Sequence, residues 1–309
     1  RGPDNQSDMA LKYKEHQLFL AFQRLSIIDL NSNANQPMVS KNNKSIIVFN
    51  GEIYNYIELK QELISKGCTF NTSSDTEVLF EAIRYWGPEK ACSKLNGMWA
   101  FAFFDLISGN MFLSRDRFGK KPLYYYFSDE GLYFASEAKS LLQMLGKKFS
   151  LNYQVIGEFI CQSQINTSNA YFLKDIYQIP ANSIIHFSFF EKVIKQKSIK
   201  YWRFPDKGYD DAKSNNLIEI IRKKFFDAVN IRLRSDVPVG ILLSGGLDSS
   251  SIASAVKHLN NYDVKLFSAI DNDPQYDESP FIDIMANYLN ADVKKLNLSL
   301  DKENIFETL

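Results

Sequence analysis

The 309-residue chain is poor in the residues that build metal centres and covalent frameworks. It holds three cysteines (Cys68, Cys92, Cys161) and three histidines (His16, His186, His258). The cysteines are odd in number, far apart, and fit neither a metal spacing nor a disulfide pattern. A reducing, cytoplasmic setting is the expectation. Three scattered histidines argue against a multi-histidine metal site. No apolar run reaches the roughly 20 residues of a membrane span, and the start does not read as a signal peptide. An excess of one charge is also absent, since 36 Lys and Arg balance 36 Asp and Glu. Neither nucleic acid nor a membrane surface is therefore expected as a partner. The last absence is local. No lysine follows the glycines of Ser244-Gly245-Gly246-Leu247-Asp248-Ser249-Ser250, so this is not the lysine-bearing phosphate loop of NTPases.

What is there supports ordinary cores: 45% of the residues are apolar, in a length that suits about two domains. The 24 phenylalanines and 16 tyrosines are spread along the chain, as core filling requires. The first two-thirds read as β-rich. Short apolar or alternating runs at 19–24, 45–49, 99–105, 111–115, 123–127 and 132–135 are separated by turn signals. Helices are expected at 56–66, stopped by Gly67, and at 75–86. Such clustering suggests layered α+β packing. The polar stretch 205–216 reads as a linker between domains at 1–204 and 217–309. Beyond it the pattern alternates: helix 217–233, strand 239–243, helix 249–259, strand 264–270, helix 278–289, strand 293–298. That order implies a parallel, helix-covered sheet. In helix 249–259 the apolar face is expected to be Ile252, Ala255, Val256 and Leu259.

The loop 244–250 lies between a strand and a helix. A helix N-terminus offers free N–H groups and favours an anion, paired glycines admit a phosphate closely, and Asp248 can hold a divalent cation. Upstream, Arg24, Asn50-Gly51-Glu52 and Asp75 have bland readings one by one: a surface ion pair, a turn dipeptide, a helix N-cap. Together they fit a pocket for a free amino acid. An arginine fork suits a carboxylate, an acid suits an ammonium, and an asparagine amide with a glycine N–H suits an oxyanion.

The runs 1–4 (RGPD), 24–29 (RLSIID), 50–55 (NGEIYN), 75–77 (DTE), 95–101 (LNGMWAF), 115–124 (RDRFGKKPLY) and 136–139 (SEAK) resemble the class II glutamine amidotransferase domain of glutamine-hydrolysing asparagine synthetases. The loop 244–250 and the run 276–280 (YDESP) resemble that family's synthetase domain, in the same order. The resemblance implies an αββα N-terminal-nucleophile glutaminase followed by a doubly wound α/β ATP pyrophosphatase domain. It implies that Arg24 binds the glutamine α-carboxylate, that Asn50 and Gly51 form the oxyanion hole, and that Glu52 and Asp75 hold the α-amino group. Ser244, Gly245, Gly246, Asp248, Ser249 and Ser250 would bind ATP, with Leu243 and Ala269 bordering the adenine and Asp248 on Mg²⁺. The implied substrates are glutamine, aspartate and ATP, which give asparagine through β-aspartyl-AMP.

The family's nucleophile is an N-terminal cysteine. Here Arg1 stands first, and the later acidic, glycine-rich motif and lysine of the synthetase domain are not in the sequence. A fragment lacking both ends, without glutaminase activity of its own, is the expectation. Two other readings stay open: a related amidotransferase for a sugar, peptide or β-lactam precursor, and a binding protein without catalysis. The assembly is also open, a homodimer included.

Overall fold

The structure is a computed structural model, and it describes residues 2–163, 169–189, 195–205, 216–260 and 265–297. The chain divides into two compact units, Arg1–Asp206 and Lys207–Leu309. The stretch 205–216 read as a linker lies, apart from its two end residues, outside the described residues.

In the first unit, β1 (Asn5–Tyr13) and β2 (His16–Arg24) form a hairpin; β3 (Met38–Val39) and β4 (Ser45–Ile53) follow. Three helices come next: α1 (Tyr56–Ser65), α2 (Asp75–Trp86) and α3 (Pro88–Lys94). Then come β5 (Gly97–Asp105), β6 (Asn110–Arg115), β7 (Tyr124–Ser128) and β8 (Gly131–Ala135). The unit closes with α4 (Ala138–Leu145), α5 (Tyr153–Gln162), β9 (Ile176–Gln178), β10 (Ser183–Ser188) and β11 (Lys195–Lys200).

The central sheet has the order β11-β10-β6-β5-β4-β3, and all its pairs are antiparallel. Strand alternation gives it two apolar faces. Ile47, Phe49, Ile53, Trp99, Phe101 and Phe103 pack under the three helices, with Leu59, Leu63, Val78, Leu79 and Ile83. Ile46, Val48, Ala100, Ala102, Phe104 and Leu113 face the other way, against Tyr13 and Leu20 of the hairpin and Leu123 and Tyr125 at β7. Helix α4 lies against β7 and β8. The layers are thus helix, sheet, strands, helix, as the resemblance implied. Among the described strands β2 pairs only with β1, and β8 only with β7.

Helix α2 begins where Ser74 caps it, its hydroxyl accepting from Thr76 N at 3.1 Å. Asp75 is therefore not the cap but the first helical residue, and its carboxylate is available for other work. Glu77 is also buried; it accepts from the Asn71 and Thr72 amides and from the Thr72 hydroxyl, which folds the 71–74 approach onto the helix.

The second unit comprises α6 (Leu217–Arg232), β12 (Gly240–Leu242), α7 (Leu247–Asn260), β13 (Lys265–Ile270), α8 (Ser279–Leu289) and β14 (Val293–Asn297). Its sheet is parallel, order β12-β13-β14. The core holds Val229, Leu243, Ala253, Ala255, Val256, Leu266, Ile282 and Leu289. Of the face expected for α7, Ala255 and Val256 are buried and Leu259 packs against the core, whereas Ile252 is exposed and Ala253 is buried beside them. On α6 only Val229 of the expected apolar row is buried. No described helix is long and apolar enough to cross a membrane.

Candidate functional site

The end of β4 builds the first site. Successive N–H groups of a strand alternate between its two edges, so those of Phe49, Gly51 and Ile53 share one. Phe49 N donates to Gln36 Oε1 at 2.6 Å, and Gln36 Nε2 returns a bond to Phe49 O at 3.0 Å. Ile53 N donates to Asp75 Oδ2 at 2.9 Å. Both contacts lie off the β5 side, where β4 has no strand neighbour beyond Ile47 among the described residues. Gly51 sits between these two occupied amides, and the alternation turns its N–H to the same edge. A side chain at this position has no room: a Cβ would fall 2.1 Å from Met98 O.

Arg24, Asn50, Gly51, Glu52 and Asp75 all line one cavity of about 2020 Å³, whose borders include β2, β8 and the 120–123 segment. Asn50 donates through Nδ2 to the Ser136 hydroxyl at 3.3 Å. Asp75 is buried, and that burial, with Glu52 nearby, pushes its carboxyl up to about 7 despite the bond from Ile53. Burial also raises Glu52, against the Lys121 charge, which draws it down. Two neighbouring carboxylates, one of them buried, cannot both ionise easily, and a cation beside them relieves both. The pair thus suits an ammonium.

Arg24 enters the same cavity differently from the free fork expected of it. The guanidinium is buried; Nη1 donates to Asn31 O and Asn35 Oδ1, both at 2.9 Å, and Nη2 to Ile28 O and Asp29 O. The fork braces the 28–35 loop, and a carboxylate meets its terminal nitrogens by displacing one of these acceptors. Asp29 completes the brace through Asn31 N at 3.1 Å and Ser73 N at 2.7 Å. Burial pushes its carboxyl up, but these bonds outweigh it and hold the group below its usual range. None of the three cysteines lines the cavity. Cys92 is buried beside the Ser114 hydroxyl, and burial pushes its thiol up to about 12.

The second site is the β12–α7 turn. Leu243 is buried, its N–H bound to Phe267 O at 2.8 Å and its carbonyl accepting the Ser268 hydroxyl at 2.6 Å. Gly245 takes φ +75°, and a Cβ there would lie 2.6 Å from Phe281 Cβ, so glycine alone lets the turn pass the start of α8. The Ser244 and Ser249 hydroxyls meet at 3.0 Å, and Ser249 also donates to Gly246 O at 3.2 Å. Ser244, Gly246 and Asp248 are exposed at the helix start, while Ser250 Oγ is buried with no hydrogen-bond partner. Ala269 is exposed on β13. The first N–H groups of α7 have no partner within the helix, so the turn can receive an anion. No group of three or more metal-ligating side chains occurs among the described residues. Asp248 alone suits a hard divalent cation that brings phosphate oxygens with it, not a protein-built cage.

Reading the sequence alone missed Gln36, Asp116, Lys121 and Ser136. Gln36 acts through side-chain bonds to the main chain of Phe49, and Asp116 accepts from the amides of Phe118, Lys120 and Lys121 and from that of Trp99; such bonds leave no periodic mark. The run 115–124 was the available pointer to Asp116 and Lys121.

Residues 1–202 match the family model described as glutamine amidotransferase domain, and residues 221–308 match that of asparagine synthase. A provisionally named glutamine-hydrolyzing asparagine synthetase 2 of Methanocaldococcus jannaschii is 34% identical, over 94% of this chain and 58% of that protein. Asparagine synthetase (glutamine-hydrolyzing) 1 of Bacillus subtilis is 38% identical, over 84% of this chain and 39% of that protein. Amidase chyE of Penicillium rubens is 31% identical, over 95% of this chain and 44% of that protein. The chain spans from 39% to 58% of the length of these relatives. With residues 1–202, more than half of the chain, matched by one family model, the chain belongs to the glutamine amidotransferase family, in the form that continues into an asparagine synthase segment.

Proposed function

We propose that the chain carries the glutamine pocket and the nucleotide loop of a glutamine-dependent asparagine synthetase. In this reading residues 1–204 are the glutaminase domain, 205–216 a linker, and 217–309 the first part of an ATP pyrophosphatase domain. The glutamine α-ammonium lies with Glu52 and Asp75. Its α-carboxylate takes Arg24 in exchange for the Asn35 amide. Its side-chain carbonyl meets the Gly51 N–H and the Asn50 amide, which stabilise the oxyanion when that carbon is attacked. None of Cys68, Cys92 and Cys161 lines this pocket, so none of them is the nucleophile that attacks that carbon.

In the second unit Ser244, Gly245, Gly246, Ser249 and Ser250 hold the phosphates of ATP, and Leu243 and Ala269 border the adenine. Asp248 holds Mg²⁺, which neutralises phosphate charge. The aspartate β-carboxylate attacks the α-phosphorus of ATP and releases pyrophosphate, giving β-aspartyl-AMP, and ammonia then displaces AMP to give asparagine. We place the enzyme in the cytoplasm.

The observation that carries this reading is the position of Gly51 N–H, between two occupied amides and beside the acids Glu52 and Asp75, the second of them buried. Calorimetry of glutamine with the 309-residue chain tests it. Binding that weakens at least about tenfold in Glu52→Gln is expected; no heat of binding from the unaltered chain overturns it. One observation favours a second acceptor: the amidase relative covers as much of this chain as the synthetases do. ATP–pyrophosphate exchange by the full-length protein, with aspartate against other carboxylates, separates the two.

A further inference from the structure

β4 runs on past β3, and side chains take over where that strand stops. Met38 pairs with Ile47 by main chain. The next rungs on the same edge belong to Phe49, Gly51 and Ile53, about 7 Å apart along the strand. The first is filled by the carboxamide of Gln36, which lies just before β3. Its Oε1 accepts from Phe49 N at 2.6 Å and its Nε2 donates to Phe49 O at 3.0 Å. One primary amide thus satisfies both main-chain groups of one residue. The last rung is filled by Asp75, which accepts from Ile53 N at 2.9 Å.

Both fillers are anchored at one place. Gln36 Nε2 also reaches the Thr76 hydroxyl at 3.4 Å, and Thr76 follows Asp75 in the first turn of α2. Gln36 is 5% exposed, and its own carbonyl accepts the Ser7 hydroxyl. Neither filler has the freedom to slide onto the middle rung.

The middle rung is Gly51. It stands opposite Trp99, but Trp99 spends its N–H on Asp116 Oδ2 at 3.2 Å and its carbonyl on Asp116 N at 2.9 Å. The N–H and carbonyl of a residue in an antiparallel strand share one edge, so both groups of Gly51 turn away from β5, to the side held by Gln36 and Asp75. Among the described residues no strand pairs with β4 there. Gln36, Phe49, Gly51, Asp75 and Thr76 all line the cavity.

We propose that this open rung reads a primary carboxamide at two points. The Gly51 N–H donates to the amide oxygen, and the Gly51 carbonyl accepts from the amide NH₂, as Phe49 does with Gln36. The second contact sets specificity. A carboxylate or an ester offers an oxygen to the N–H but has no hydrogen for the carbonyl, so the rung tells an amide from the acid that its hydrolysis leaves. That the amide is glutamine's rests on the pocket proposed above; the two-point contact itself does not.

The test follows Gly51 by NMR in the 309-residue chain labelled with ¹³C and ¹⁵N. In the empty chain its N–H should exchange with deuterium on the order of a hundredfold faster than those of Phe49 and Ile53. Equal protection of the three overturns the proposal. Glutamine should then shift both the Gly51 N–H and its carbonyl carbon. The methyl ketone analogue of glutamine, in which CH₃ replaces the NH₂ at similar size, should shift the N–H alone. It should bind about tenfold more weakly in calorimetry, because it leaves the Gly51 carbonyl without a partner. Equal affinity, or an equal carbonyl shift with the ketone, overturns the proposal. If neither compound binds, the glutamine reading falls, and propionamide against butanone decides the two-point contact at the same nuclei. A carbonyl shift with propionamide alone upholds it; any other result overturns it.

Discussion

Asp75 makes the first unit's stability depend on pH in a direction opposite to that of most carboxylates. Its carboxyl is raised from 3.8 to about 7 in the folded protein. Below pH 4 both folded and unfolded chains keep the proton, and Asp75 contributes no difference. As pH climbs toward 7, the unfolded chain loses the proton while the folded one holds it. Folding then takes up a proton, and stability falls by about 1.4 kcal/mol per pH unit. Over the roughly three-unit window this amounts to about 4 kcal/mol as a ceiling, all of it lost above the folded value. Asp75→Asn cannot ionise, and its amide oxygen still accepts from Ile53 N. The substitution adds a constant penalty of about 1 kcal/mol for the altered hydrogen bonds, but it removes the slope. All three tryptophans, Trp86, Trp99 and Trp202, lie in the first unit, so their fluorescence under urea follows that unit alone. The stability of Asp75→Asn relative to the unaltered chain should rise steadily from pH 4.5 to 7.5, with the variant the more stable by about 2–3 kcal/mol at pH 8. A difference that does not change with pH would refute the reasoning, whatever its size.

Three further outcomes are expected. Gly51→Ala forces a methyl onto Met98 O, so the β4–β5 pair must part; unfolding by tryptophan fluorescence should show a loss of about 2 kcal/mol, with glutamine binding abolished in calorimetry. Gly245→Ala meets both a positive φ and Phe281, and should lower the stability of the second unit by about 2 kcal/mol in far-ultraviolet dichroism while the tryptophan transition stays in place. In the folded chain a thiol reagent should modify the exposed Cys161 first and reach Cys92 only on unfolding, as timed mass analysis would show; early labelling of Cys92 would contradict its burial.

The elements with strong local signals were legible. Helix α2 spans the expected 75–86, because its apolar period is regular and its start is polar. The alternation beyond 217 translates directly into the parallel sheet. β1 escaped notice because NQSDMALKY alternates only weakly, and its turn into β2 uses Lys14 at φ 52° where a glycine or asparagine would have marked it. β11 (KQKSIK) is too polar to read as a strand; it is an edge, held by β10 alone. In the site, the residue types were legible but not their partners. Nothing in the sequence shows that Gln36 serves as a substitute strand for Phe49, or that Arg24 spends its terminal nitrogens on its own loop. Such contacts join positions chosen by tertiary packing, and neither propensity nor period encodes them. The exposed apolar row on α6 shows the converse, where period predicts a buried face and the described unit does not cover it.

The hairpin margin at β2 has a practical side. β11 carries exposed lysines at 197 and 200 on its open flank, the usual defence of a bare strand. β2 has no such guard: between Gln17 and Gln23 it runs Leu18 to Phe22 without a charge, and Phe19 is 70% exposed. Among the described residues no strand pairs with the outer edge of β2, and an unpaired edge beside apolar side chains is adhesive. Concentrated solutions of this polypeptide should therefore self-associate through that seam, and a lysine placed at Phe19 is the economical way to keep it dispersed.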